Sequence, residues 1–202
     1  MSLEDPTLSV ALTVARTEAE GPGRRFALWV QGCPFRCAGC CNPEMLSFNP
    51  RRPATLMRAS EVVERCVAAD VEGVTFLGGE PFAQAEALSV VARGVKRAGL
   101  SVMVFSGYTL DELRAMESPP VRELIALTDL LVDGRYEESL RTTARRWVGS
   151  DNQVMHFLTD RYSPLDPRFH EGNHVELRLQ GDTLTLNGWP IDGARTRLGG
   201  PR

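Results

Sequence analysis

Hydrophobic positions along this chain follow two periods, and the two periods alternate. From Leu8 to Ala15 apolar and polar residues trade places one by one, as in a strand with one buried face. Glu20-Gly21-Pro22-Gly23 then reads as a turn. Arg25 to Gln31 is a short apolar run and predicts a strand. Loop character persists through Pro43, Pro50 and Pro53, and Ser60 is placed to cap a helix running to about Ala69. Gly73 to Leu77 is a β-branched and apolar strand. Ala83 to Ala98 has helical spacing at Ala87, Val90, Val91, Gly94 and Val95 and closes at Gly99. Ser101 to Phe105 predicts another buried strand. Thr109 and Glu112 form a capping box for the next helix, which Pro119-Pro120 ends before a second short helix. Leu130 to Val132 is the last strand of the series, and Asp133-Gly134-Arg135 closes it.

Strands alternating with helices predict an α/β fold with a mostly parallel sheet and helical crossovers, either open or curled into a partial (β/α) barrel. Pro164, Pro167, Gly172 and Asn173 then mark a linker. His174 to Asn187 alternates cleanly about Gly181-Asp182 and predicts a β-hairpin. The expected division is a core over residues 1–163 and a C-terminal extension over 164–202, whose glycine-rich last residues should fray.

In parallel sheets ligands bind beyond the C-terminal ends of the strands. Four polar or glycine-rich segments fall at such ends: a cysteine loop after the strand at Arg25, Gly78-Gly79-Glu80-Pro81, Ser106-Gly107-Tyr108, and Asp133-Gly134-Arg135. The fold therefore brings them to one rim.

Composition narrows the chemistry. The 202 residues are 24% charged with a formal net charge of -3, which excludes a disordered chain and a basic nucleic-acid binder. Arg141, Arg145 and Arg146 read as a solvated surface or a partner contact. No apolar run reaches the length of a membrane span, and the first residues lack a charged-then-apolar leader pattern, so the expected compartment is the cytosol. Clustered cysteines in a reducing compartment are metal ligands or catalytic groups more often than disulfides. Cys33, Cys37 and Cys40 have C-x3-C-x2-C spacing, which supplies three thiolates where a closed zinc or iron–sulfur site takes four. A four-iron cube held by three cysteines keeps one iron open to a substrate or cofactor. Cys41 adjoins the third ligand and is expected to pack or remain spare, because neighbouring side chains rarely reach one metal. Cys66 sits on an amphipathic helix and reads as a buried structural thiol. His156, His170 and His174 show no ligand spacing, and Trp29 and Tyr108 read as packing residues.

The cysteine loop followed by Gly78-Gly79-Glu80-Pro81 resembles the radical S-adenosylmethionine superfamily. Within it the chain is similar to the small activating enzymes of glycyl-radical enzymes, in particular those of anaerobic ribonucleotide reductase. The matching stretches include Glu20-Gly21-Pro22-Gly23, Trp29 to Pro34, Cys40 to Glu44, Phe76 to Pro81, Ser106 to Leu113, Leu131 to Tyr136 and Gly149 to Gln153. The resemblance implies that Cys33, Cys37 and Cys40 hold a 4Fe-4S cluster whose open iron takes the amine and carboxylate of S-adenosylmethionine. One electron would cleave the sulfonium to methionine and a 5′-deoxyadenosyl radical, which abstracts a hydrogen atom. Gly78, Gly79, Glu80 and Pro81 would approach the methionyl amine. Ser106 would bond the methionyl end, Asp133 a ribose hydroxyl or a cation, and Asn42 the cofactor or its own loop. Relatives often carry an aromatic beside the third cysteine, where this chain has Gly39 and Cys41.

Three functions are compatible with these residues. The first is an activase that installs a glycyl radical on a partner such as anaerobic ribonucleotide reductase, fed by a flavodoxin- or ferredoxin-type electron donor. The second is a stand-alone radical enzyme that modifies a small molecule or peptide. The third is an electron carrier or zinc module, which predicts a fourth ligand and no use for the Gly78 to Pro81 segment.

Overall fold

The computed structural model describes residues 5–51, 53–180 and 183–188. Its centre is four parallel strands: β2 (Arg25–Val30), β4 (Gly73–Gly78), β5 (Ser101–Phe105) and β6 (Leu130–Asp133). β2 is buried at every position, as a strand covered on both faces must be. Antiparallel strands finish both sides. β1 (Thr7–Thr17) pairs with β2, β3 (Thr55–Arg58) pairs with β1, and β7 (Val154–Phe157) pairs with β6. The seven-stranded order is β3-β1-β2-β4-β5-β6-β7. The sequence pattern did not reveal β3 or β7. Both are four-residue edge strands, and β3 buries only Met57, so neither carries an apolar run.

Crossover helices α1 (Ala59–Ala68), α2 (Ala85–Arg97), α3 (Leu110–Ala115) and α4 (Pro119–Leu127) join these strands. Side chains of alternate parity separate the two faces of the sheet. Phe26, Leu28, Val74, Phe76, Val102, Val104 and Leu131 pack with Val62, Leu88, Val91, Val95, Leu113 and Leu124 of the helices. Fully burying such a side chain contributes about 1.5–3 kcal/mol. Ala27, Trp29, Leu77, Met103, Phe105, Leu130 and Val132 face the other way, toward Met45, Trp147, Val148, Tyr162 and Phe169. Among the described residues that face carries no α-helix, and it holds the site.

Local chemistry explains the helix ends. Thr109 and Glu112 form the expected capping box on α3, and Pro119 starts α4 as its first residue. Ser60 does not cap α1. It is the second helical residue, and Asp5 does the capping from across the chain by accepting Ser60 N–H at 3.0 Å and Ser60 Oγ–H at 2.6 Å.

The C-terminal segment packs on the core. A short 3-10 turn, Pro167–Phe169, places Phe169 edge-on to Trp147 and Phe157. The hairpin strands are β8 (Val175–Gln180) and β9 (Thr183–Gly188). The expected turn residues, Gly181 and Asp182, and the glycine-rich end lie outside the described residues. Arg146 is not a solvated surface residue. It is buried, stacks on Trp147, and donates to Arg168 O at 2.8 Å and to Glu171 at 2.5 Å. Arg145 likewise donates to the carbonyls of Ser150, Asp151 and Gln153. These two arginines pin the chain segment that covers the helix-free face.

Candidate active site

The cysteine loop leaves the C-terminal end of β2 and is tied back at its root. Gly32 N–H donates to Met45 O at 2.9 Å, Cys33 N–H to Leu46 O at 3.0 Å, and Gln31 Nε2 to Ser47 O at 2.7 Å. Asn42 precedes a 3-10 turn, Pro43–Met45, and its carbonyl accepts Met45 N–H at 3.0 Å. The end of β4 lies against this root. Gly79 N–H donates to Val30 O and Glu80 N–H to Gly32 O, both at 2.8 Å. A Cβ on Gly79 would stand 2.2 Å from Gly32 O, and one on Gly78 (φ +106°) would stand 2.7 Å from Val30 N. Gly79 is thus required by the close approach of β4's end to the root of the cysteine loop, and Gly78 by its approach to the end of β2.

Glu80 joins the next strand end. Its carboxylate is buried and accepts Phe82 N–H at 2.9 Å, Ser106 Oγ–H at 3.0 Å and Gly107 N–H at 2.8 Å. Burial pushes its pKa up to about 7, against the lowering effect of these donors. Pro81 begins the 3-10 turn that follows, Pro81–Gln84. Ser106 Oγ also accepts Tyr108 N–H at 3.0 Å. Tyr108 packs edge-on against Phe35, with ring centroids 4.7 Å apart, and the Arg135 guanidinium covers the Phe35 ring at 4.5 Å. Tyr108 is a packing residue as expected, and so is Trp29 on the inner face.

These segments enclose a cavity of about 310 Å³. Cys33, Cys37, Cys40, Cys41 and Asn42 line it from the cysteine loop, and Gly78, Gly79, Glu80 and Ser106 from the strand ends. None of the five cysteines is in a disulfide. Cys66 is elsewhere, fully buried in the helix-side core, and burial pushes its thiol up to about 12.

Comparison with known proteins then decides the family. A 4Fe-4S single cluster domain matches residues 19–156. The anaerobic ribonucleoside-triphosphate reductase-activating protein of Salmonella typhimurium is 32% identical over 145 residues, covering 68% of this chain and 91% of that protein. The protein of the same name from Escherichia coli K12 is 31% identical over 144 residues, with the same coverage. The chain belongs to this family of 4Fe-4S reductase-activating proteins. A partial structural likeness to QueE from Escherichia coli has a TM-score of 0.43 at 16% identity, over 51% of this chain and 53% of that one.

The three thiols fit the cluster of the activating-protein family. Among the described residues no three His, Cys, Asp or Glu side chains stand close enough to grip a single metal ion. A four-iron cube is wider than an ion and needs its thiolates spread around one cavity, as they are here. Burial pushes the Cys33 thiol up to about 11, and charge on Glu80, Cys37 and Cys40 adds to the rise.

Pro81 and Asp133, of the expected residues, do not line the cavity. Asp133 has a structural role instead. Its buried Oδ2 accepts Leu110 N–H at 2.6 Å, at the start of α3, and meets His156 Nε2 at 2.9 Å. His156 thus has a structural partner. Residues beyond those expected from sequence also reach the wall: Tyr136, Trp147 and Gln153, and from the two chain ends Glu20, Asn187 and Gly188. Trp147 sits at φ +58°, a strained conformation for a bulky side chain, with its N–H held by Asn173 Oδ1 at 2.8 Å. Gln153 had a visible signal, since it lies in a segment matching the family. Asn187 had none, because only the folded hairpin brings it there.

Proposed function

We propose that this protein is an activase: it cleaves S-adenosylmethionine reductively and uses the 5′-deoxyadenosyl radical to take a hydrogen atom from a glycine of an anaerobic ribonucleoside-triphosphate reductase. The observation that carries this reading is the meeting of three cysteines, two backbone-exposing glycines and Ser106 on one cavity. Cys33, Cys37 and Cys40 are the ligands of a 4Fe-4S cluster, and no fourth ligand is assigned. Bound there and reduced, the cluster supplies the electron that opens the sulfonium.

The chain's own residues position and shield. Glu80 ties the β4 end to the β5 end, so the wall beside the thiols keeps its shape. Gly78, Gly79, Ser106 and Asn42 offer backbone and hydroxyl groups to the methionyl end of the cofactor. Trp29, Leu77 and Phe105 give the cavity an apolar side, which limits water near a radical. Asp133 acts from behind, holding α3 and with it the Ser106 to Thr109 turn. Residues 1–163 form the catalytic unit and 164–202 an extension. A reducing cytosol, with a flavodoxin- or ferredoxin-type donor, suits three reduced thiols and an oxygen-sensitive cluster.

The test is anaerobic reconstitution with iron and sulfide, reduction, and addition of S-adenosylmethionine. 5′-Deoxyadenosine should form, and Cys40→Ala should abolish it. Formation of none by the wild-type protein, or persistence in Cys40→Ala, would overturn the reading.

A further inference from the structure

The C-terminal hairpin is amphipathic, and it docks by its polar face. Its register pairs Glu176 with Asn187 on one face, and Leu177 with Leu186 and Leu179 with Leu184 on the other. The polar face meets the core. Glu18 N–H donates to Glu176 at 2.7 Å, Asn187 Nδ2 donates to Thr17 Oγ1 at 2.7 Å, and Arg178 donates to Arg16 O. Gly188 N–H adds a bond to Glu20 Oε1 at 2.6 Å. The leucines are left outside: Leu177 is 57% exposed, Leu179 76% and Leu184 49%. None of the three joins an apolar cluster of the core among the described residues. A hairpin packed on a core ordinarily turns the other way, with its apolar face inward. Two strands alone are marginally stable, so the polar contacts hold the hairpin, and they hold it with leucines outward.

Two observations indicate what covers this face. The first is continuity with the cavity. Leu186, the cross-strand partner of Leu177, lines the cavity together with Ala19, Trp29 and Leu77. A polypeptide that reaches the cavity across this end lies against the leucines. The second is size. Three leucines fall well short of the about 800 Å² per partner that a stable complex buries, so a second copy held by this patch alone would not stay bound. A partner that also fills the cavity gains the remaining contact there. The hairpin lies outside residues 19–156, which match the 4Fe-4S domain, so it adds to the shared chemistry of the family.

We propose that Leu177, Leu179 and Leu184 are a docking surface for the anaerobic reductase, an apolar step at the cavity's hairpin end. The inference rests on the activase reading and adds the surface that recognises the partner. The matching surface of the reductase is apolar and flanks the segment that carries its glycine. Leu186 continues the contact from the step into the cavity.

The test uses the full chain loaded with its cluster. It compares wild type with the double variants Leu179→Thr/Leu184→Thr and Leu179→Ile/Leu184→Ile. Threonine keeps strand propensity but removes apolar surface, and isoleucine keeps both. Dissociation constants are measured for the full-length anaerobic reductase and for S-adenosylmethionine, with the melting temperature and sedimentation mass of the protein alone. The threonine pair should weaken reductase binding about tenfold and leave cofactor affinity within about twofold. Its melting temperature should stay within about 2 °C of wild type. The isoleucine pair should bind the reductase within about threefold of wild type. Unchanged reductase affinity in the threonine pair overturns the proposal, and so does an equal loss in the isoleucine pair. A melting temperature lowered by more than about 5 °C would mean that this chain covers its own leucines, and a wild-type dimer that the threonine pair dissociates would mean that a second copy does. Either result overturns the proposal. Glycyl-radical yield judges the activase reading separately: wild-type protein that binds the reductase without producing a radical overturns that reading alone, and the binding comparison still decides the role of the leucines. Wild-type protein that does not bind the reductase overturns the docking surface.

Discussion

The Glu80 carboxylate, at the end of β4, accepts the backbone N–H of Gly107, just past the end of β5, at 2.8 Å. The same side chain accepts Phe82 N–H and Ser106 Oγ–H. One buried acidic residue therefore sets the spacing of two strand ends on the cavity wall. Replacing it with alanine leaves three donors without a partner. Glu80→Ala should destabilise the cluster-free protein by about 3 kcal/mol. Glu80→Gln keeps one acceptor oxygen and should cost less. Reversible denaturant unfolding under reducing conditions measures both.

The close approach at Gly79 makes a sharper prediction. A methyl group there would meet Gly32 O at 2.2 Å, so either β4 or the root of the cysteine loop must move. Gly79→Ala should fold, because the helix-side core does not depend on it, but should take up several-fold less iron. Iron content and circular dichroism of the reconstituted variant check the two halves separately.

The cysteines should divide into two groups. Cys33→Ala, Cys37→Ala and Cys40→Ala should each lose the visible absorbance of a reconstituted cluster. Cys66→Ala should keep it, at a stability cost of about 1 kcal/mol for the small void left in the core. Cys41 lines the cavity beside Cys40 without being proposed as a ligand, so Cys41→Ala should also retain the cluster.

Glu20 provides a pH signature. Burial pushes its pKa from the usual 4.5 up to about 7. The folded state then binds a proton that the unfolded state has released, so stability falls as pH rises between about 4.5 and 7. Melting temperatures of the cluster-free protein across this window should decline, and Glu20→Gln should flatten part of the slope. An unchanged slope would mean that Glu20 is solvated in the folded protein.

Much of the fold was legible because buried parallel strands write themselves as apolar runs. Arg25–Val30, Gly73–Gly78, Ser101–Phe105 and Leu130–Asp133 all lie where such runs fall. β3 and β7 were not legible, since an edge strand with few buried positions leaves no pattern. Ser60 had the chemistry of a cap, but Asp5 competed from a distant part of the chain. At the site, spacing brought out the three cysteines and the glycine pair. The reason for the glycines emerged only with the fold: Gly79 makes room for the Gly32 carbonyl, and Gly78 for the backbone at the end of β2. Asp133 followed a strand as a site residue would, yet its carboxylate turns to Leu110 and His156. Asn187 was invisible as a wall residue, because its place depends on a hairpin docking under β1.

The central claim is that a hydrogen atom passes from the reductase to the cofactor fragment. The direct measurement uses reductase made with deuterated glycine, mixed anaerobically with the reduced, cluster-loaded protein and S-adenosylmethionine. The 5′-deoxyadenosine recovered should carry deuterium, and the reductase should show a carbon-centred radical by electron paramagnetic resonance. 5′-Deoxyadenosine formed without deuterium, and without a radical on the reductase, would contradict the account.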